Sequence, residues 1–215
     1  MDPLIGDRIV VRYRLGAGGP EDWRAAPNPP LAHQPTLSDV TGVLRGRRGE
    51  ALVIEHDGAE TAIPLAAVTS VRLLSAQVVR NAQIRTVQGE LSAAVGGTED
   101  ARIGGWALWA DPQARTPRGC AAIPLEQTAR TADLAGVAQW YADRGLTGWA
   151  ILPERIFRAG DGPEGGSEFE ALTAEGRPPA EAAGDDTARR RELRAQGYRR
   201  HHGFRVVALA APAVR

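Results

Sequence analysis

The residue types that most often do chemistry in proteins are few in this 215-residue chain, and they are widely spaced. The single cysteine, Cys120, could act as a nucleophile, but no histidine lies near it in the sequence to activate it. A lone strand cysteine is usually a small core residue. The pair His201-His202 could bind a metal, yet adjacent side chains project apart in regular structure and no second pair of ligands is evident. We therefore predict a buried Cys120 and a solvated turn at the two histidines.

Charged residues supply further candidates. The arginine-rich stretch 189–200 could grip phosphate or nucleic acid, and the alternative is a solvated helix face balanced by the acidic residues before it. The carboxylates Asp111, Glu126 and Asp133 are scattered, with no spacing that pairs them for acid–base catalysis. Residues 160–163, Gly-Asp-Gly-Pro, lack the regular acidic spacing of a calcium loop. The residues alone therefore predict no metal site and leave the catalytic residues unknown.

The tryptophans indicate where the chain is organised. The apolar segment Ile103–Ala110 holds Trp106 and Trp109 and is bounded by charged residues and by Pro112, so it predicts a buried strand that opens a second domain. With Trp140 and Trp149, these residues could line a pocket, although a core filled by large aromatics is the more common use.

Composition limits the function classes. The 26 basic residues are balanced by 26 acidic ones, so no global field indicates binding to nucleic acid or to a membrane. One cysteine excludes an internal disulfide and suits a reducing compartment. The first residues lack the basic and apolar regions of a signal peptide, and no apolar run is long enough to cross a bilayer. We expect a soluble cytoplasmic protein.

Residues 1–76 predict a small antiparallel barrel. Asp7–Leu15 alternates apolar and polar residues, as a half-buried strand does. A long loop rich in Gly and Pro follows at 16–35. Further strands are predicted at Thr41–Arg45, Ala51–Glu55, Thr61–Pro64 and Val68–Leu74. Closing the set into a barrel would hide its edges.

Residues 77–215 predict an α/β layer. Helices are predicted at Asn81–Ala94, capped by the glycines at 96 and 97, and at Asp133–Arg144 and Thr187–Gln196; strands are predicted at Arg118–Leu125, Thr147–Leu152 and Phe204–Leu209. The acidic segment 160–186 predicts a mobile, disordered insertion with a short helix around Glu168–Leu172. An exposed sheet edge after Leu209 would need covering, so we expect a homodimer or a partner chain there.

Two resemblances follow from particular segments. The first domain resembles an SH3-like barrel through Asp7–Tyr13, Thr41–Leu44 and Ile63–Val68. The second resembles the amino-terminal portion of a GNAT-family N-acetyltransferase, of the actinobacterial type that joins such a barrel to the acetyltransferase fold. The segments that carry this resemblance are Ile84-Arg85, Ile103–Leu108, Thr116–Leu125 and Trp140–Leu146.

The GNAT resemblance implies acetyl transfer from acetyl-CoA to an amine, and some members of the group are likened to N-acetylglutamate synthases. It makes Arg118, Cys120 and Trp106 candidate substrate-binding residues, although Cys120 and Ala121 stand where related proteins carry Asn and Ser.

The cofactor turn of the GNAT fold, Arg/Gln-x-x-Gly-x-Gly/Ala, is not found in the chain. Arg189–Ala195 imitates its basic beginning, but Glu192 stands where glycine must let the phosphate approach, and its carboxylate would repel that phosphate. We therefore predict no cofactor-binding residues here and a chain that lacks the acetyl-CoA-binding half of the fold.

The sequence therefore predicts an α+β fold, in which a small SH3-like barrel precedes a partial GNAT-like mixed α/β sheet layer. Three hypotheses about function stay open. The chain is a GNAT-related protein that is incomplete or inactive, a non-catalytic regulatory module that binds protein or nucleic acid, or a truncated product.

Overall fold

The computed structural model describes residues 1–15, 36–95, 99–158 and 160–210. The chain divides into two compact units, Asp2–Ala76 and Gln77–Arg215 together with Met1. Asp2–Ala76 is called the first unit and Gln77–Arg215 is called the second unit. The long loop predicted at 16–35 and the helix cap predicted at 96–98 lie outside the described residues. Of the helices that the structure describes, none combines the length and apolarity needed to span a bilayer.

In the first unit, residues 1–15 and 36–76 form five antiparallel strands in the spatial order β4-β3-β2-β1-β5. They are β1 (Arg8–Arg14), β2 (Leu37–Arg48), β3 (Ala51–His56), β4 (Ala59–Pro64) and β5 (Val68–Leu73). The predicted alternation in β1 is confirmed, because Ile9, Val11 and Tyr13 are buried and contribute to one apolar core. A two-residue turn joins β3 to β4, and Asp57 and Gly58 both have positive φ, as a type I′ hairpin turn requires.

The closed barrel predicted for this unit is not formed. β4 pairs with β3 and β5 pairs with β1, and within the described residues no ladder joins β4 to β5. A three-residue 3-10 turn, Leu65–Ala67, connects these two edge strands. Each edge strand has only six residues, and short edges are one way in which proteins tolerate unpaired backbone groups.

The described residues of the second unit form a mixed sheet of seven strands with three helices, in the spatial order β11-β10-β12-β9-β8-β7-β6. Its elements are α1 (Asn81–Ala94), β6 (Glu99–Ile103), β7 (Trp106–Trp109), β8 (Ala121–Pro124), α2 (Leu134–Ala142), β9 (Trp149–Pro153), β10 (Ser167–Thr173), β11 (Ala180–Ala183), α3 (Thr187–Ala195) and β12 (Arg199–Ala208). The architecture of the described chain is therefore α+β, with two sheets and few helices.

The two faces of the second sheet carry different helices. α2 packs on one face through Leu134, Val137 and Tyr141, in a core that includes Trp106 and Leu108 of β7. α1 packs on the other face through Val87 and Leu91. Side chains alternate between faces along a strand, so Ala107 and Trp109 of β7 belong to the α1 side. The helices predicted at 81–94 and 133–144 are confirmed, and so is the core position of Trp106 and Trp109, whereas Trp140 and Trp149 are half-buried.

The acidic segment at 160–186 is not a disordered insertion. It contains β10, which pairs with β12 and with β11, and residues 168–172 are strand rather than helix. The acidic composition of this segment predicted disorder, but one of its acidic residues, Glu170 of β10, is a wholly buried carboxylate. Arg190 and Arg194 of α3 compensate its charge, at 3.1 Å and 3.0 Å respectively. A charged side chain can therefore lie in the core of a sheet when a residue of opposite charge pairs with it.

The predicted free edge at the last strand is also wrong, since β12 lies between β10 and β9 inside the sheet. The edges of this sheet are β11 and β6. A homodimer or partner chain stays a prediction, without the exposed edge that motivated it.

Candidate functional site

The three residues predicted to bind substrate lie on opposite sides of the second sheet. Trp106 and Cys120 belong to the core beneath α2. Trp106 is wholly buried, and the Cys120 thiol lies 3.1 Å from the main-chain oxygen of Asp111. Arg118 lies in a 3-10 turn, Pro117–Cys120, and its side chain contacts residues of the α1 side. The structure therefore does not bring the three together.

Arg118 is the centre of a buried polar network. Its Nε donates to the Glu181 carboxylate at 3.0 Å, and its Nη1 donates to Gln88 Oε1 and to Ser92 Oγ, each at 3.0 Å. Its guanidinium also stacks over the ring of Phe204, 5.3 Å from the centroid. Gln88 and Ser92 are one turn apart on the buried face of α1. Arg118 therefore fastens α1 to the sheet.

The network continues into two histidines. Gln88 Nε2 lies 2.8 Å from His202 Nε2, and His202 Nδ1 lies 2.7 Å from His201 Nδ1. Because Arg118 is a donor only, Gln88 must present its oxygen to Arg118 and its amide hydrogens to His202. His202 Nε2 is then an acceptor, so its proton is on Nδ1 and is donated to His201. Both rings are neutral in this arrangement.

A β-bulge makes the contact between adjacent histidines. His202 pairs with Ala171 and Arg200 with Leu172, so His201 is the extra residue in β12. A bulge turns a side chain away from the regular alternation. Both histidines are buried in a strand, so the predicted solvated turn is wrong. No sequence signal in this stretch predicts the bulge.

Burial keeps these histidines uncharged. Burial is the main cause that lowers the pKa of His202 to about 3, and the charges of Arg200 and Arg118, with that of His201 whenever it is protonated, act in the same direction. Burial also lowers the pKa of His201. Within the described residues, no group of three or more potential metal ligands occurs around them or elsewhere. The pair can accept or pass a hydrogen bond, but it holds a proton poorly at neutral pH.

A second cluster of charge surrounds Glu170. Besides its bonds to Arg190 and Arg194, its Oε2 lies 3.7 Å from Nε of Arg200, and Arg200 also reaches Glu154 at 3.3 Å. Arg190 and Arg200 are buried. The prediction that this arginine-rich stretch forms a solvated helix face is therefore wrong for its buried members, which compensate a core carboxylate.

The exposed side of α1 forms one wall of an open groove of about 590 Å³. The residues that line it are Ala82, Arg85, Thr86, Gly89 and Glu90 of α1, and Leu125, Glu126 and Gln127, which follow β8. Nε of Arg85 is shielded from solvent, and within the described part of the chain it has no hydrogen-bond partner. Burial lowers the pKa of Arg85 from its ordinary value. Sequence reasoning missed this groove, because its two walls are distant in the chain.

The segment between β8 and α2 is tightly bonded to itself and to β7. The N–H groups of Ala129 and Asp133 donate to the main-chain oxygens of Glu126 and Arg130. The Arg130 N–H donates to the Asp133 carboxylate at 3.2 Å, and its carbonyl accepts from Nε1 of Trp106 at 2.9 Å. The Trp106 ring is stacked on Phe157 with centroids 5.3 Å apart.

Comparison with known proteins identifies the family. Residues 81–192, about half of the chain, match the family described as "Probable histone acetyltransferase Rv0428c C-terminal". The chain therefore belongs to this acetyltransferase-like family. It is also 30% identical, over 154 residues, to the probable histone acetyltransferase Rv0428c of Mycobacterium tuberculosis strain H37Rv. That match covers 72% of the chain and 46% of the relative, so the chain spans about half the length of this curated relative. No solved structure matches the chain.

Proposed function

We propose that this chain is a GNAT-related protein, descended from enzymes that transfer an acetyl group from acetyl-CoA to an amine, whose second unit no longer holds the cofactor. The name of the Mycobacterium tuberculosis relative supports the acetyltransferase part of the proposal. The observation that carries it is the parting of the two parallel strands, β8 and β9, which α2 connects.

β8 and β9 are paired at only two positions, Ala121 with Trp149 and Ala122 with Ala150. Beyond them, Ile123 and Pro124 pair only with β7, and the rest of β9 pairs only with β12. Among the described residues this is the only parallel pair of the sheet, and its ladder ends after two positions. Such a splayed pair, followed by a turn and a helix, is the arrangement in which a GNAT fold receives acetyl-CoA.

The residues at this place do not fit the cofactor. A pyrophosphate needs free N–H groups at a helix start and glycines that let it approach. Residues 125–133 contain no glycine. Several of their N–H groups already donate within the segment or to Gly105. The Asp133 carboxylate stands directly before α2, where it would repel a phosphate. No acetyl-transfer step therefore runs through residues 125–133 of this unit, and any acetyl-CoA would be held elsewhere.

The SH3-like detail of the first unit is part of the same proposal. The strand order, with β5 beside β1 and a 3-10 turn between β4 and β5, supports it. The second candidate is a non-catalytic regulatory module that contacts protein or nucleic acid. Residues 125–133 do not fit acetyl-CoA, and this observation favours such a module over an enzyme.

Thermal unfolding with and without acetyl-CoA tests the proposal. Four of the five tryptophans lie in the second unit, so intrinsic fluorescence reports mainly on that unit. A ligand present at 100 times its Kd stabilises a protein by about 2.7 kcal/mol. We expect no shift of the unfolding midpoint with acetyl-CoA. A shift that also increases in an Asp133→Asn variant would place the cofactor at α2 and contradict the proposal.

A further inference from the structure

We propose that the outward face of the sheet in the first unit binds a single strand of nucleic acid through its phosphodiester backbone. The residues that carry the proposal are Arg8, Arg12 and Arg14 of β1 and Arg72 of β5, which are called the arginine row. The inference goes beyond acetyl transfer, which concerns the second unit, and neither proposal depends on the other.

The pairing of β1 with its neighbours places the arginine row on one face of the sheet. Ile9, Val11 and Tyr13 are buried in the core of the first unit, so the alternate residues of β1 point to the opposite face. Arg72 is directly paired with Val10, and directly paired residues lie on the same face. All four arginines are exposed, so a partner in solution can reach them.

The arginine row gives this face a positive charge, although the whole chain is neutral. The described residues that pair with the outward positions of β1 are Leu37, Asp39, Thr41, Val43, Ser70 and Arg72. Asp39 is the one carboxylate in this set, and it accepts from Arg12 at 2.8 Å and 2.9 Å. Among the described residues, Arg8, Arg14 and Arg72 form no ion pair with a carboxylate. Three exposed guanidinium groups are therefore available to an anionic partner.

The spacing of the arginine row suits a chain of phosphates. Alternate residues of a strand are about 6.7 Å apart, so the three arginines of β1 span about 20 Å. A polynucleotide carries one phosphate per nucleotide whatever its sequence, and a guanidinium group can donate to two oxygens of one phosphate. An acidic peptide would match the row only where its carboxylates recur at the same spacing. The row therefore favours a nucleic-acid backbone over an acidic protein.

The surroundings of the row favour a single strand over a duplex. Val10 lies between Arg8 and Arg12 and is half-buried, and Leu37, which pairs with Arg14, is 44% exposed. Sugars and unstacked bases of a single strand can lie against such apolar side chains, whereas the bases of a duplex are stacked inside it. The described part of the first unit contains no α-helix that could enter a major groove.

Fluorescence anisotropy of a labelled oligothymidylate, titrated with the full chain, tests the inference. We expect a Kd on the order of 0.1 mM at about 50 mM salt. Three phosphate contacts should weaken the affinity about 20-fold between about 50 mM and about 200 mM salt, because each contact releases bound counterions. Absence of binding at the lower salt concentration would overturn the assignment. Tighter binding of a duplex of the same length, or equal competition by polyglutamate, would overturn it as well.

Variants of the arginine row distinguish this face from the rest of the surface. Arg8→Gln, Arg14→Gln and Arg72→Gln should each weaken binding by roughly fivefold to tenfold at about 50 mM salt and reduce the salt slope by about 0.7. Arg47→Gln removes the same charge from an exposed position of the same unit. Arg47 pairs with Leu52 of the core and so lies on the other face of the sheet, and its replacement should leave the affinity unchanged.

A variant at Asp39 tests the same face in the opposite direction. Asp39→Asn removes the one carboxylate of the face and releases the guanidinium of Arg12, so it should tighten binding about fivefold or more. Both residues are exposed, and circular dichroism verifies that each variant is folded. The proposal is refuted if the row variants bind as Arg47→Gln does, or if Asp39→Asn binds no more tightly than the natural chain.

Discussion

Acidification should destabilise the second unit through its buried histidine pair. His202 has a pKa of about 3 in the folded chain, whereas an unfolded histidine has its ordinary value of 6.5. Between these values the unfolded chain binds more protons, so its population increases as the pH falls. The stabilisation that depends on neutral His202 is therefore complete above about pH 6.5 and is lost progressively toward pH 3.

The size of the effect follows from these two pKa values. Between pH 7 and pH 5, His202 alone should lower the free energy of unfolding by about 2 kcal/mol. His201 should add to this loss, because burial lowers its pKa as well. Protonation of His202 would also place a hydrogen on Nε2 opposite the amide group of Gln88, so the network cannot adapt without breaking.

The assay is urea unfolding followed by tryptophan fluorescence at pH 7, 6 and 5, on the natural chain and on His202→Gln. Carboxylates that titrate in this range contribute to both proteins. The difference between the two proteins in how steeply the free energy of unfolding falls with pH therefore reports on His202. The exposed His56, in the first unit, provides a control as His56→Gln. The reasoning is refuted if the natural chain and His202→Gln lose stability equally between pH 7 and pH 5.

Three further predictions concern stability. Glu170→Gln should lower the free energy of unfolding in urea by about 3 kcal/mol or more, because it leaves buried arginines uncompensated, whereas the exposed Glu192→Gln should lower it by less than about 0.5 kcal/mol. Equal losses would contradict the role of Glu170 in this cluster. Gly148→Ala should lower the free energy of unfolding by about 1–3 kcal/mol, because its Cβ would overlap a tyrosine ring of α2, whereas Gly136→Ala should leave it unchanged or raise it. The reverse order of stability would argue against this packing. Arg205→Gln removes a guanidinium that donates to three carbonyls of the loop 161–165, so limited proteolysis of that loop should become roughly tenfold faster, and an unchanged rate would show that the loop is held otherwise.

Local pattern was sufficient for most elements. The helix predicted at Asn81–Ala94 has the observed bounds of α1, and the alternation in β1 predicted which side chains are buried. These features depend on the period of a single helix or strand, which neighbouring residues already define. The division near residue 76 lies where the sequence analysis placed the change from one domain to the next, and the two compact units divide there.

The residues of the candidate site depend on contacts that no local pattern records. The groove joins α1 to residues 125–127, and the Arg118 network joins residues 88, 118, 181 and 202. Sequence reasoning singled out Arg118 but had no means of finding its partners, because they come from three other elements.

The sequence by itself determined α1, α2 and α3, most strands and the apolar faces, because each follows from the periodicity of nearby residues. Only the tertiary structure decided that an acidic segment is a core strand, that β12 is interior and that two adjacent histidines meet. In each case the cause is long-range. Arginines of α3 compensate Glu170, β10 covers the edge of β12, and a bulge against β10 reorients His201. Charge compensation and strand register are properties of partners, and partners are fixed only when the chain is folded.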